Sequence, residues 1–447
     1  MSTTSASAPP QGSSGSNAGE LRRQLGLGAA TAAVAGEAIA VGIFLTPASM
    51  AHMLGSPALI LLVWTAMGVT AIFGALCYGN LASRFPEAGG AYIYLRESYG
   101  EMPAFLYGWM SLLVMDPGLT AALALGLASY VAFIVPAAGI HAKLLASTIV
   151  CMLAVINMLN ARAGAALLQL TTWLKISILV LLPLWAMASR AGRLANLVPL
   201  LARRSGSPPL LQAVAGATMA AFFSFGGWWD ASKLAGEVRD PRRTLPRAFT
   251  LGVIMVTVVY ILVSGAFLYV VPLEKVVSDQ AFVGQFGNAL FGRFGADVLA
   301  AIVVLCVLGS LSALIMAAPR AYFAMARDGV FLKSIGRPNA RFKTPERAIM
   351  IQALLASVFI FVGDFENIVG YFMFPAVAFV GLTVATTYKH SRERWRFATA
   401  SVFIAFIVGV LALIAIRAPV SAAVGSGIVL MGIPAWLVVR AHSQPDS

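Results

Sequence analysis

Charged side chains lying inside long apolar runs are the residues best placed for chemistry in this sequence. Glu37 sits in TAAVAGEAIAVGIFLTPASM, Asp116 in VMDPGL, Lys175 in LQLTTWLKISILVLLP, Asp230 in WWDAS and Arg320 in PRAYF. If these runs cross a bilayer, each charge costs roughly 2.5 kcal/mol or more to place there, so such residues mark ion or substrate paths by default. The chemistry open to them is cation and proton handling, or pairing with one another. Bond-making catalysis has no visible equipment: there is no H-E-x-x-H, no metal-spaced Cys/His set and no Gly-rich phosphate loop. The chain therefore reads as a non-enzyme that needs neither cofactor nor metal. Three roles stay open for Glu37: a carboxylate solvated in a water-filled vestibule, half of a buried pair with Lys175 or another base, or a proton carrier.

The elements that hold these charges are spelled out by composition. Mean hydropathy is +0.84, with 59% hydrophobic and 11% charged residues. A bilayer crossing needs about 20 mostly apolar residues. About twelve such spans can be read, roughly 27–53, 56–80, 102–134, 142–160, 164–189, 210–234, 247–271, 297–325, 346–363, 365–388, 397–416 and 421–441. This predicts an all-α polytopic membrane protein embedded in a lipid bilayer. Residues 1–24, rich in Ser, Ala, Gly and Pro, read as a disordered tail with no cleavable signal segment, and 442–447 as a second short tail. Cys77, Cys151 and Cys306 all fall in apolar spans and read as small buried packing residues.

A net charge of +13 could suggest nucleic acid. Its placement says otherwise. With both termini cytoplasmic and twelve crossings, most of the 31 Lys and Arg residues fall on cytoplasmic loops, as orientation by positive charge requires. The loop with Arg190, Arg193, Arg203 and Arg204 is the exception. Nothing in the sequence calls for nucleic acid or an obligatory partner chain.

Two spans carry helix-weakening residues in matching places. Gly42 lies within AIAVGIFLTP, and Gly226-Gly227 interrupt AAFFSFGGWWDASKLAGEV. Each glycine costs a helix interior about 1 kcal/mol relative to alanine. These spans open two candidate five-helix halves, 25–190 and 208–390, followed by helices eleven and twelve over 395–441. Five is odd, so the second half enters the membrane in the opposite sense, as in inverted-repeat transporters with interrupted helices. Unwinding near Ala40–Gly42 exposes N–H groups suited to a carboxylate, whereas unwinding near Phe223–Gly226 exposes C=O groups suited to an ammonium. An α-amino acid has that pattern.

Four stretches strengthen this reading: VGIFLTP (41–47), SRFPEAGGAYIYLRESYG (83–100), FSFGGWWDASKLAGEVRDPRRTLPRA (223–248) and PRAYFAMARDGVF (319–331). In that order, across roughly residues 25–395, the chain resembles the amino acid–polyamine–organocation superfamily. Within it the resemblance is to the L-type and related bacterial amino acid transporters. It implies a leucine-transporter-type fold with a central site between spans one and six. Ala40, Val41 and Gly42 fall where the family has a Gly-Ser-Gly nest for the substrate carboxylate, of which only Gly42 is kept. Phe223, Ser224 and Gly226 fall where backbone carbonyls hold the amino group, and Phe223 also where an aromatic gate closes. Lys175 falls where sodium-independent members hold a lysine in place of a sodium ion. The resemblance gives Glu37 no role. It also implies a short helix within 83–100 packed under the bundle, whose composition suits a helix lying on lipid equally well.

The expected activity is amino acid transport by alternating access, sodium-independent, by proton symport or exchange, in a bacterial inner membrane. The aromatic wall from Phe222, Phe223, Phe225, Trp228 and Trp229 favours neutral or apolar substrates. Asp116 leaves cationic amino acids or polyamines open if it faces the path. Asp230 suits the start of a half-helix, and Arg320 suits cytoplasmic ion pairs. A non-transporting sensor or scaffold on the same fold is the alternative of another class.

Overall fold

The computed structural model describes residue 21 and residues 23–443, apart from positions 41, 160, 277, 278, 343 and 364. The tails read over 1–24 and 442–447 thus fall largely outside the described residues, and Val41 lies outside them as well. In chain order the helices are α1 (Leu27–Ala38), α2 (Gly42–Leu54), α3 (Pro57–Arg84), α4 (Ala91–Tyr99), α5 (Glu101–Met110), α6 (Asp116–Ile134), α7 (Ala142–Leu159), α8 (Ala161–Ala188) and α9 (Leu210–Phe225). They continue as α10 (Pro241–Val270), α11 (Asp279–Phe291), α12 (Gly295–Ala317), α13 (Pro319–Arg327), α14 (Glu346–Val362), α15 (Phe365–Ala385), α16 (Thr387–His390), α17 (Arg394–Arg417) and α18 (Pro419–Ser443). Among the described residues no strand forms beyond an isolated bridge of Leu25 with Val238.

Ten helices among the described residues are long and apolar enough to cross a membrane. About twelve crossings are expected from the sequence, and the difference has a physical cause. The first expected span is two short helices, α1 and α2, because the chain unwinds between them. The span expected over 346–363 is the 17-residue helix α14, at the short end of the length a crossing needs. An additional helix, α11, packs on α12 and α2 where the sequence suggested only a loop. Its 13 residues, DQAFVGQFGNALF, are too few and too polar to look like a span.

Local chemistry explains the element ends that matter. Ser56 caps α3 by accepting from the Leu59 N–H at 3.5 Å, with Pro57 in the first turn. The π-helical turn Ser111–Met115 separates α5 from α6 just before Pro117. Proline has no N–H to donate and crowds the preceding turn, and an extra residue in the turn accommodates both. Arg203, from the basic loop that broke the charge asymmetry, donates to the Leu54 carbonyl at 3.0 Å and the Pro208 carbonyl at 2.6 Å. Its charge therefore answers the carbonyl end of α2.

The core is built around α3 and α10, with α1 packed on α10 and α8, and α2 on α9. A Cβ on Gly79 would lie 2.8 Å from Pro246 Cα, so small residues set the α3–α10 spacing, as they do at membrane helix contacts generally. The helices α17 and α18 sit at the periphery against α15, α3 and α5. Cys77 and Cys306 are buried as expected, while Cys151 is exposed on α7. The first five residues of α4, Ala91 to Leu95, are buried, and Tyr92 Oη donates to Asp328 Oδ2 at 2.8 Å. The helix is thus tucked against the bundle instead of lying on lipid.

Candidate functional site

Both expected breaks are present. The α1 helix stops at Ala38, and the chain bends through Ile39 and Ala40 before α2 starts at Gly42. The α9 helix stops at Phe225, Gly226 and Gly227 turn the chain, and a 3-10 segment runs from Trp228 to Glu237. Gly227 has φ +104°, a left-handed conformation that a side chain would strain. A Cβ there would also approach the Glu37 carbonyl oxygen to 3.1 Å. At the other break, a Cβ on Gly42 would lie 2.8 Å from Ser224 Cα, so the two interruptions touch. The Ser224 and Thr46 hydroxyls hydrogen-bond each other across that contact.

The exposed backbone poles are held by side chains from behind. Lys175 Nζ on α8 is fully buried and donates to the carbonyls of Gly36 and Ile39, each at 2.6 Å. Ser310 Oγ on α12 lies 2.9 Å from that ammonium and 2.7 Å from both carbonyls. An ammonium thus occupies the carbonyl end of α1, where backbone dipoles favour a cation. Tyr260 Oη on α10 lies 2.8 Å from the Ala38 carbonyl and 2.8 Å from the Ser224 carbonyl. One hydroxyl therefore joins the ends of α1 and α9.

In front of these supports lies a small, partly enclosed hollow. Glu37, Ala40, Gly42, Phe223, Ser224 and Gly226 all line it, so most of the expected site residues converge on one hollow. Its other walls are mainly apolar and include Met115, Leu119, Leu123, Trp229, Phe372 and Met373. The α2 helix directs the start of its N–H ladder here, where the first four donors have no partner within the helix. Lys175 lies behind the cavity wall and Asp116 also stands outside the lining. Glu37 is 7% exposed, and neither of its carboxylate oxygens has a hydrogen-bond partner among the described residues. It is not paired with Lys175.

Asp116 is instead part of a buried ionic cluster that sequence reasoning did not assemble. Lys233 Nζ lies 2.9 and 3.1 Å from the two Asp116 oxygens and 2.8 Å from Asp230 Oδ1. Tyr322 Oη on α13 donates to Asp116 Oδ2 at 2.8 Å. The i, i+3 spacing of Asp230 and Lys233 is the signal that could have flagged the pair. Asp116 and Tyr322 come from elsewhere in the chain and give no such signal. Arg320 Nε donates to Glu237 Oε1 at 2.7 Å, so it forms an ion pair and does not line the cavity.

Comparison with known proteins points the same way. The family described as amino acid permease matches residues 25–439. The human b(0,+)-type amino acid transporter 1 is 30% identical over 373 residues, covering 81% of this chain and 75% of that protein. The human cystine/glutamate transporter is 26% identical, with 93% and 85% covered. The serine/threonine exchanger SteT of Bacillus subtilis (strain 168) is 27% identical, with 77% and 78% covered.

Proposed function

Because this chain belongs to the amino acid permease family, we propose that it is a secondary transporter moving α-amino acids by alternating access. It works without sodium, by proton symport or exchange, in a bacterial inner membrane with both termini cytoplasmic. The observation that carries this reading is the meeting of two interrupted helices at one cavity, with Lys175 seated at the carbonyl end of α1. The substrate carboxylate sits at the N–H end of α2, over Ala40, Val41 and Gly42. Its amino group sits at the carbonyl end of α9, by Phe223, Ser224 and Gly226, with Phe223 as the gate. Twelve crossings, arranged as five-helix units over 25–190 and 208–390 related by inversion, place the site at the membrane midplane as alternating access requires. The helices over 395–441 lie outside the repeat.

The mainly apolar walls favour neutral, apolar or aromatic side chains. A cationic substrate is the second reading, favoured by Glu37 and Asp230 on the cavity lining. Purified protein in liposomes is expected to accumulate a labelled neutral amino acid, with the same rate when sodium is replaced by potassium. Robust sodium stimulation would overturn the coupling assignment. Binding without flux would point to a sensor instead.

The touching breaks give a second expectation. Replacing Gly42 with alanine places a methyl group against the Ser224 backbone and pushes α2 away from α9. Uptake is expected to fall roughly tenfold to a hundredfold through misplacement of the substrate carboxylate. Initial rates at equal protein per liposome check this, and wild-type rates would count against the site.

A further inference from the structure

Glu37 lines the cavity without a hydrogen-bond partner among the described residues, and its surroundings specify what it lacks. Glu37 is more than nine-tenths buried and is among the residues lining the cavity, and both its carboxylate oxygens are buried with no hydrogen bond from any described residue. The titratable groups around it come from four helical elements. They are Asp230 and Lys233 on the 3-10 segment, Asp116 on α6, Lys175 on α8, and Tyr260 on α10, whose hydroxyl is engaged with the Ala38 carbonyl. Glu237, on the same 3-10 segment, is paired with Arg320. Both nearby cations are committed: Lys175 to the carbonyls of α1, and Lys233 to Asp116 and Asp230. Glu37, Asp116 and Asp230 therefore face only Lys175 and Lys233, and the cluster is one positive charge short. A charge buried without a partner is costly, so the arrangement is complete only when something positive enters.

We propose that Glu37 is the residue that takes up one positive charge along with the zwitterionic substrate. For a substrate with a neutral side chain that charge is a proton from solution, bound as O–H on the carboxylate and released with the substrate on the other side. For a substrate with a basic side chain it is the ammonium or guanidinium itself, whose N–H groups meet both free oxygens. The cavity's apolar walls accept a hydrocarbon side chain in the first case and the hydrocarbon stem of the basic side chain in the second. The assignment rests on the transport reading and adds the origin of its coupling.

The test uses the full chain in liposomes, with labelled leucine and labelled lysine as probes, at outside pH of about 5.5 and about 7.5, on either side of the ordinary histidine range. Wild-type leucine uptake is expected to be faster at the lower pH and to lose that advantage with a protonophore. In Glu37→Gln the ratio between the two pH values is expected to fall to about one, because the carboxyl that lacks a partner is gone and Asp116 and Asp230 stay paired with Lys233. Should cationic substrates be the source of the charge, wild type takes up lysine and Glu37→Gln does not, while leucine uptake survives. A Glu37→Gln protein that keeps the wild-type pH ratio and lysine uptake overturns the proposal. So does a wild type that carries leucine without pH dependence and rejects lysine, a result that leaves amino acid transport standing. If Glu37→Gln does not insert stably, Glu37→Asp takes its place and must shift the pH profile or weaken lysine uptake, and an unchanged profile overturns the assignment. No uptake or binding of any common amino acid by wild type would remove the transport reading and this inference together.

Discussion

Exchanging Lys175 for methionine is expected to reduce amino acid uptake roughly 30-fold to a few thousand-fold. Methionine keeps the length of the side chain and removes the ammonium. The carbonyls of Gly36 and Ile39 then keep only the Ser310 hydroxyl between them, which has one proton to give. Stranding buried acceptors costs about 1–3 kcal/mol each, so losing Lys175 costs roughly 2–5 kcal/mol, which at 1.4 kcal/mol per decade is the range stated. The cost falls on the end of α1, which positions Ala40 and Gly42, so it is felt as lost transport before it is felt as unfolding. Arginine is not expected to restore activity, since its planar fork is broader than the point charge that the two carbonyls converge on. Uptake in liposomes, with a thermal unfolding scan to confirm that the variant is folded, decides the matter. A Lys175→Met protein transporting at more than about one third of the wild-type rate would remove the lysine from the mechanism, since that loss is worth well under 1.4 kcal/mol.

What could be read in the sequence was whatever depends on neighbours along the chain. Apolar length located the spans, and Gly42 and Gly226-Gly227 marked the two breaks because a missing side chain weakens a helix wherever it packs. Lys175 was legible because its depth in a span left few explanations for an ammonium there. What depends on distant partners was not legible. Nothing near Tyr260 indicates that its hydroxyl reaches carbonyls 222 and 36 positions away in the chain. The partners of Asp116 were equally hidden: Lys233 is 117 positions distant and Tyr322 is 206. Hydropathy also misled on the second half of the interrupted α9 span. WWDASKLAGE reads as the start of an ordinary half-helix, yet it winds as a 3-10 segment with its aromatic, acidic and basic side chains drawn into the core.

That 3-10 segment carries the second large expected effect. Lys233→Met is expected to destabilise the protein by roughly 3–5 kcal/mol, the usual consequence of removing one partner from a buried ion pair and leaving the other charge stranded. Here two acids are stranded together, Asp116 and Asp230, both within 3.1 Å of the lost ammonium. The cluster ties the 3-10 segment to two other elements, since Asp116 opens α6 behind the π-helical turn and Tyr322 on α13 donates to the same carboxylate. Asp116→Asn in the Lys233→Met background is therefore expected to recover part of the loss, because one of the two uncompensated charges disappears and the amide still accepts from Tyr322. The same Asp116→Asn change alone should be destabilising, as it leaves Lys233 to Asp230. Opposite signs for one substitution in two backgrounds are a signature of direct coupling, which independent sites do not produce. Thermal unfolding of the four proteins in detergent reads the cycle. If the two changes simply add, the cluster is packing without electrostatic consequence, and the segment after the glycine break is held in place by its aromatic contacts alone.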